Sequence, residues 1–512
     1  MKTTIFSTFV ILMTFFQLNA QNTLTLQVDQ AKTIINKNIY GQFSEHLGTC
    51  IYEGIYVGED SDIPNIHGYR TDVVEAFKEL KVPVLRWPGG CFADTYHWKD
   101  GIGPKEDRPS IVNVFWGGVT EDNSFGTHEF LDFCELTGIQ PYLSINVGSG
   151  TVREAAEWVE YVTSSNESPM TDLRKKNGRE DPWDVKFWGI GNETWGCGGD
   201  MTPEYYANIY RHYAGYVRGD GFQKIICGPS SDDTHWTEKI MEGMKGKMHM
   251  TQGMSMHHYT LPTGSWSGSK GSSTDFGEEM WFKTIKSTLV IEKYINDHLA
   301  VMDKYDPRGR VKLIVDEWGT WYDKLEGTKD GFLQQQNTVR DAVVAGVNLN
   351  IFNNHADRIS MANIAQVVNV LQAMILTKGP LMVKTPTYYV FKMYNVHQDA
   401  TLIPSVLTTE DYEFNGEKIP ALTSSASIKD GVVSITFSNA NPNKSELVEC
   451  NLGDQQYKTI SGKIVNGDKI TAYNDFGQPE KVGIADFKVE KPKKGSLKVE
   501  IPAHSVVLIQ LQ

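Results

Sequence analysis

Basic side chains are in short supply in this sequence. Its 49 lysines and arginines face 63 aspartates and glutamates, a formal charge of −14, which leaves no cationic excess to neutralise a phosphate backbone. Nucleic acid is therefore not an expected partner. Cysteine is sparse as well: Cys50, Cys91, Cys134, Cys197, Cys227 and Cys450 are scattered through 512 residues, without the density of a disulfide scaffold or the paired spacing of a zinc site. They read as buried free thiols, although an exported chain can pair some of them. No metal-ligand spacing such as H-E-x-x-H occurs, so neither a metal nor another cofactor is expected. Beyond the N-terminus no run is long and apolar enough for a membrane span. Tandem repeats and low-complexity linkers are also missing, which favours domains packed rigidly on each other.

The N-terminus is the apolar exception. Residues 1 to 20 set Lys2 before an apolar run from Ile5 to Phe16 and end in the small residue Ala20, the form of a secretory signal. This predicts a mature chain that begins near Gln21 and is exported to the periplasm or the medium. No cysteine follows Ala20, so a lipoprotein signal is not expected.

A chain of 512 residues exceeds the roughly 250 to 300 at which one core stops growing, so more than one domain is expected. From residue 40 to 396 short apolar runs alternate with amphipathic segments, the mark of βα units around a parallel sheet. The strand candidates are "IYGQFSEHL", "VPVLRWPGG", "QPYLSINVG", "VKFWGIGNE", "KIICGPSS", "GMSMHHYT", "VKLIVDEWG" and "NIFNNH". Eight such runs predict a (β/α)₈ barrel, with helices such as "TDVVEAFKEL" and "TPEYYANIYRHYAGYVR" outside it; in the latter Thr202 is the N-cap and Pro203 opens the first turn. From 397 to 512 apolar and polar residues alternate between Gly, Asn and Asp turns, which predicts a jelly-roll-like antiparallel β-sandwich. Residues 21 to 39 alternate too and are expected to add a strand to it.

Active sites of such barrels lie at the C-terminal ends of the strands, so polar residues there are informative. Reading each run to its end gives Glu45, Arg86 with Cys91, Asn146, Asn192 with Glu193, His257 with Tyr259, and Glu317 with Trp318. A carboxylate at the end of an apolar strand costs several kcal/mol unless it is paired or hydrogen-bonded. An ion pair with Arg86 would explain one such glutamate. Two of them, ending the fourth and seventh strands, fit glycoside hydrolysis, in which one carboxyl group protonates the leaving oxygen while the other attacks or guides water.

The sequence resembles glycoside hydrolase family 51, the α-L-arabinofuranosidases, over nearly all of the chain past residue 20. The motifs that carry the resemblance are "GQFSEHLG", "YEGIYVG", "LRWPGG", "HWKDGIGP", "FGTHEF", "GIGNE", "SMHHYT", "DEWGTWY" and "ANIAQVVNVLQ". It implies a retaining enzyme with Glu193 as acid/base and Glu317 as nucleophile. It further implies that Asn192 contacts the sugar 2-hydroxyl and that Glu45 accepts from furanose hydroxyls. Tyr259 would donate to the nucleophile with His257 nearby, Gln366 would be a strand-eight sugar contact, and Trp116 and Trp321 would be aromatic walls. Cys91 stands where other members place Asn, and a weak thiol donor is the role it would have. The expected partners are arabinose-containing plant polysaccharides such as arabinoxylan and arabinan or their oligosaccharides, and the resemblance implies a homo-oligomer, often a hexamer. An endoglucanase, a β-xylosidase and a non-catalytic polysaccharide-binding protein are the alternatives.

Overall fold

The computed structural model describes residues 22–453 and 457–512; the expected signal segment lies outside them. Eight parallel strands close a barrel in chain order: Gly41–Phe43, Val84–Trp87, Gln140–Ile145, Phe187–Ile190, Gln223–Ile226, Gly253–Thr260, Lys312–Thr320 and Ile359–Ala365. Val84, Tyr142, Ile225, Ile314 and Met361 form a small cluster apart from the main core, filling the barrel from within. Bulky residues on the other face of the same strands, among them Trp188 and Ile190, pack into the main core shared with the surrounding helices.

The helices follow from capping and periodicity. Thr71–Leu80 buries Val73, Val74, Phe77 and Leu80, one stripe at three- and four-residue spacing, and ends where Lys81 turns left-handed at φ 51°. At Pro203–Ala214 the Thr202 side chain accepts from the Tyr205 amide and Pro203 occupies the first turn.

One expected strand is a helix. "NIFNNH" ends helix Val339–Asn354, and the eighth barrel strand is Ile359–Ala365. Every residue from Val339 to Asn353 is buried, since this helix lies between the barrel and the C-terminal strands. Burial all round erases the polar face that marks a surface helix in sequence.

The C-terminal strands form two sheets. One has four strands, in the order Ser405–Thr408, Asn22–Leu26, Glu446–Asn451 and Ser496–Ile501, so the N-terminal strand sits inside it. That strand pairs antiparallel with Ser405–Thr408 but parallel with Glu446–Asn451. The other sheet, of six strands, runs antiparallel around Val432–Asn439 and Val506–Leu511. Leu24, Ile435, Phe437, Val448, Leu497 and Ile509 belong to the core between them. The sheets are tied to the barrel by Asn350, whose Oδ1 accepts from Ser425 and Thr436 at 2.9 Å each, and by Trp281, whose indole donates to the Ala440 carbonyl at 2.7 Å. No helix among the described residues is long and apolar enough to cross a membrane.

Candidate active site

Arg86 is the penultimate residue of the second strand and is buried at the barrel mouth. Its guanidinium donates to Glu317 Oε1 at 2.7 Å and to Asn192 Oδ1 at 2.6 Å, and stacks 4.5 Å from the Phe43 ring. Asp316 lies 3.8 Å away and accepts from the Tyr142 hydroxyl at 2.9 Å. The carboxyl groups of Asp316 and Glu317 both reach the barrel axis. Simple strand alternation would send neighbours to opposite faces, but the register slips between Val315 and Trp318 against the eighth strand.

His257 joins the acids. Its Nδ1 lies 2.8 Å from Glu193 Oε1 and 3.4 Å from Glu317 Oε2, and its Nε2 lies 3.0 Å from Asp316 Oδ1. Burial opposes a charged ring, but Glu317, Asp316 and Glu193 together lift His257 to about 10. Burial raises the Glu317 carboxyl, and His257 and Arg86 pull against that. Asp316 feels the same burial and is held below the ordinary range by Arg86 and His257. Two cations thus sit against two acids, and the Tyr259 hydroxyl donates to Glu317 Oε2 at 2.8 Å.

Glu193 follows the fourth strand at φ 41°, a left-handed conformation that costs of order 1 kcal/mol or more in a residue other than glycine. A carboxylate oxygen of Glu193 lies within 4.8 Å of one from Glu317. The two differ in depth: the Glu193 side chain is 19% exposed and that of Glu317 is 6%.

The opposite wall is built on Glu45. Its carboxylate accepts from the Phe92 amide at 3.0 Å, the Trp116 indole at 2.8 Å and the Gln366 amide at 2.9 Å. Burial, then the charge of Glu317, push Glu45 up to about 7 against those donors. A Cβ at position 90 would lie 2.7 Å from Glu45 Oε1, so any side chain there would displace the carboxylate that glycine leaves in place. Gln366 Oε1 is buried without a partner and is free to accept from a ligand hydroxyl. Trp321 meets Tyr259 edge-on at 5.0 Å, and Trp266 meets Trp321 at 5.1 Å. These groups enclose a pocket of about 320 Å³, within the range of small-ligand sites.

Nine of the ten residues expected at the site line this pocket; Asn192 lies behind the wall, its carbonyl oxygen engaged by Arg86 and its amide 3.8 Å from Cys197 Sγ. The expectation for Cys91 needs correction. Cys91 is disulfide-bonded to Cys197 and has no thiol hydrogen to donate, whereas the other four cysteines are free and buried.

Comparisons with known proteins identify the family. Residues 76–270 match the family described as "Alpha-L-arabinofuranosidase 1 domain" and residues 316–505 the one described as "Alpha-L-arabinofuranosidase C-terminal domain". An "Intracellular exo-alpha-L-arabinofuranosidase" of Bacteroides ovatus is 54% identical over 495 residues, 96% of this chain and 95% of its own. The chain belongs to the α-L-arabinofuranosidases of glycoside hydrolase family 51. The crystal structure of the family 51 arabinofuranosidase from Xanthomonas axonopodis pv. citri superposes with a TM-score of 0.94 at 48% identity, covering 96% of this chain and all of that one. An arabinose complex of the Thermotoga maritima enzyme gives 0.80 at 30% identity, over 96% and 99% of the two chains.

The family assignment makes this chain a glycoside hydrolase and overturns one expectation. Export was read from residues 1 to 20, yet the Bacteroides ovatus relative, alike over nearly its whole length, is an intracellular enzyme. A charged residue followed by an apolar run is a generic pattern, and it did not identify the compartment. Sequence reasoning also missed several groups of this family 51 site. Arg86 was considered only as an ion-pair partner, and Asp316 was hidden by the alternation rule. Trp195 and Trp266 line the pocket from segments with no apolar period. A tryptophan isolated in the Gly/Ser-rich stretch "TGSWSGSKGS" is the one signal that pointed to Trp266.

Proposed function

We propose that this family 51 hydrolase is an exo-acting, retaining α-L-arabinofuranosidase that removes terminal non-reducing arabinofuranosyl residues from arabinoxylan, arabinan or their oligosaccharides. The observation that carries the reading is the approach of Glu193 and Glu317 to within 4.8 Å, since retention needs carboxyl groups about 5 to 5.5 Å apart and inversion needs room for a water between them. Depth supports the roles. The deeper Glu317, held by Arg86, Tyr259 and His257, attacks the anomeric carbon, while the more exposed Glu193 protonates the glycosidic oxygen on the side where the leaving group departs. The C–O bond to the leaving group breaks as the bond to Glu317 forms. Glu193 then takes a proton from water, and the resulting hydroxide displaces Glu317.

Glu45 and Gln366 supply acceptors and donors for the furanose hydroxyls, Asn192 acts from behind the wall through its contact with Arg86, and Trp116 and Trp321 supply apolar walls. The test is sugar release from arabinoxylan and from linear and branched arabinan, alongside a panel of nitrophenyl glycosides. Free arabinose from chain ends and side groups, with arabinofuranosides cleaved and glucopyranosides and xylopyranosides refused, is the expected result. Cleavage of glucan or of xylosides would transfer the site to the endoglucanase or β-xylosidase reading, and binding without hydrolysis would reduce it to a carbohydrate-binding fold.

A further inference from the structure

The Cys91–Cys197 disulfide has no part in the mechanism above, yet it lies against the acid/base. It joins the segment after the second barrel strand to the one after the fourth, which carries Glu193. Cys197 Sγ is 3.5 Å and Cys91 Sγ 4.0 Å from Glu193 Oε2, and both cysteines are half-buried, with Cys91 on the pocket wall. A small reductant that enters the pocket can therefore reach this bond, whereas Cys50, Cys134, Cys227 and Cys450 are buried. Once the S–S bond is broken, two thiols and a carboxylate converge, their ligand atoms all within 4.8 Å of one another. Two sulfurs each about 2.3 Å from one metal ion stand apart by less than 5 Å, a spread that side-chain rotation allows with the Cα atoms 5.5 Å apart. Two thiolates and a carboxylate suit a soft or borderline d¹⁰ cation, with the fourth position open to pocket water. A second group, Glu193 with His257 and Glu317, is equally compact. It is the poorer ligand set, because both imidazole nitrogens face carboxylates and Arg86 holds Glu317.

We propose that reduction of the Cys91–Cys197 disulfide opens a binding site for a soft divalent cation, Zn²⁺ or Cd²⁺, formed by the two thiolates and Glu193, and that occupancy of this site switches off hydrolysis by engaging Glu193. With a trialkylphosphine as reductant, phosphorus attacks one sulfur and the S–S bond breaks. Water supplies the oxygen of the phosphine oxide and the two thiol protons. Cation binding then releases both protons.

The test uses the full-length protein, reduced with such a phosphine and freed of it by gel filtration, with Cd²⁺ as the probe. Two additional thiols should be alkylated after reduction. Titration should raise an ultraviolet thiolate-to-cadmium charge-transfer band that saturates at equimolar Cd²⁺. Activity on a nitrophenyl arabinofuranoside should fall by about a hundredfold, the size of a general-acid contribution. Unreduced protein should show neither effect, and Cys197→Ser should show no band. If that variant does not fold, reduced protein carboxymethylated at the two cysteines replaces it. No new thiols after reduction, a band that persists without Cys197, or equal inhibition of the oxidised protein would each overturn the proposal. A band without loss of activity would overturn the engagement of Glu193. The inhibition arm rests on the proposed role of Glu193, but the band is read without any substrate, so failure of the glycosidase reading would be distinguishable.

Discussion

Replacing His257 by Asn tests the charge balance of the site through the pH dependence of stability. In the folded protein the ring is lifted from 6.5 to about 10 by Glu317, Asp316 and Glu193. A difference of that size corresponds to roughly 5 kcal/mol of preference for the protonated ring in the native state. Because the folded value lies above the unfolded one, this stabilisation is fully present below about pH 6.5 and is lost as pH rises through about 10. Between those limits the native ring carries a proton that the unfolded ring does not, so the wild type loses about 1.4 kcal/mol per pH unit relative to the variant. Asparagine keeps a hydrogen-bonding amide in the space but has no charge to lose. The assay is urea unfolding of both proteins at pH 7, 8 and 9, followed by tryptophan fluorescence. Groups distant from His257 are common to the two chains and cancel in the difference, while Asp316 and Glu317, which lose a neighbouring cation in the variant, are followed by the same comparison. A gap that narrows by about 1.4 kcal/mol at each step is expected; parallel curves would show that His257 is neutral in the folded protein and that Arg86 alone balances the acids.

The two carboxylates should fail differently on replacement. Glu193→Ala should still form a glycosyl-enzyme from a dinitrophenyl arabinofuranoside and, with azide, give the azide of retained configuration, whereas any azide rescue of Glu317→Ala should give the inverted anomer; opposite anomers would reverse the roles. Tyr259→Phe removes the 2.8 Å donor to Glu317 Oε2, and a loss of about 1 to 3 kcal/mol there should lower kcat by roughly five- to 150-fold. An unchanged kcat in steady-state kinetics would place that hydrogen bond outside the reaction. Asn350→Leu leaves the Ser425 and Thr436 hydroxyls without the Oδ1 that accepts from them, so thermal and urea unfolding should show a loss of about 3 kcal/mol. A change within about 0.5 kcal/mol would mean that the barrel and the C-terminal sheets do not depend on this contact.

Local pattern was enough for the architecture and for the outline of the site. Alternation, capping residues and apolar runs are properties of consecutive residues, so seven of the eight barrel strands, the helix at Thr71–Leu80 and the Thr202 cap could be read directly. A glutamate that ends a buried strand is equally local, and Glu193 and Glu317 stood out for that reason. The helix Val339–Asn354 could not be read this way, because its burial comes from two domains packed on opposite sides. Nor could Asp316, whose direction depends on a register slip against a neighbouring strand. The charge on His257 arises from three carboxylates that only barrel closure brings around one ring. Cys91 and Cys197 are 106 residues apart in sequence, and spacing alone does not say which strand ends meet across the mouth. Which residue types stand at the strand ends follows from the order of the chain; which of them touch follows only from the closed barrel, because pairing, charge state and exposure are properties of neighbours distant in the chain.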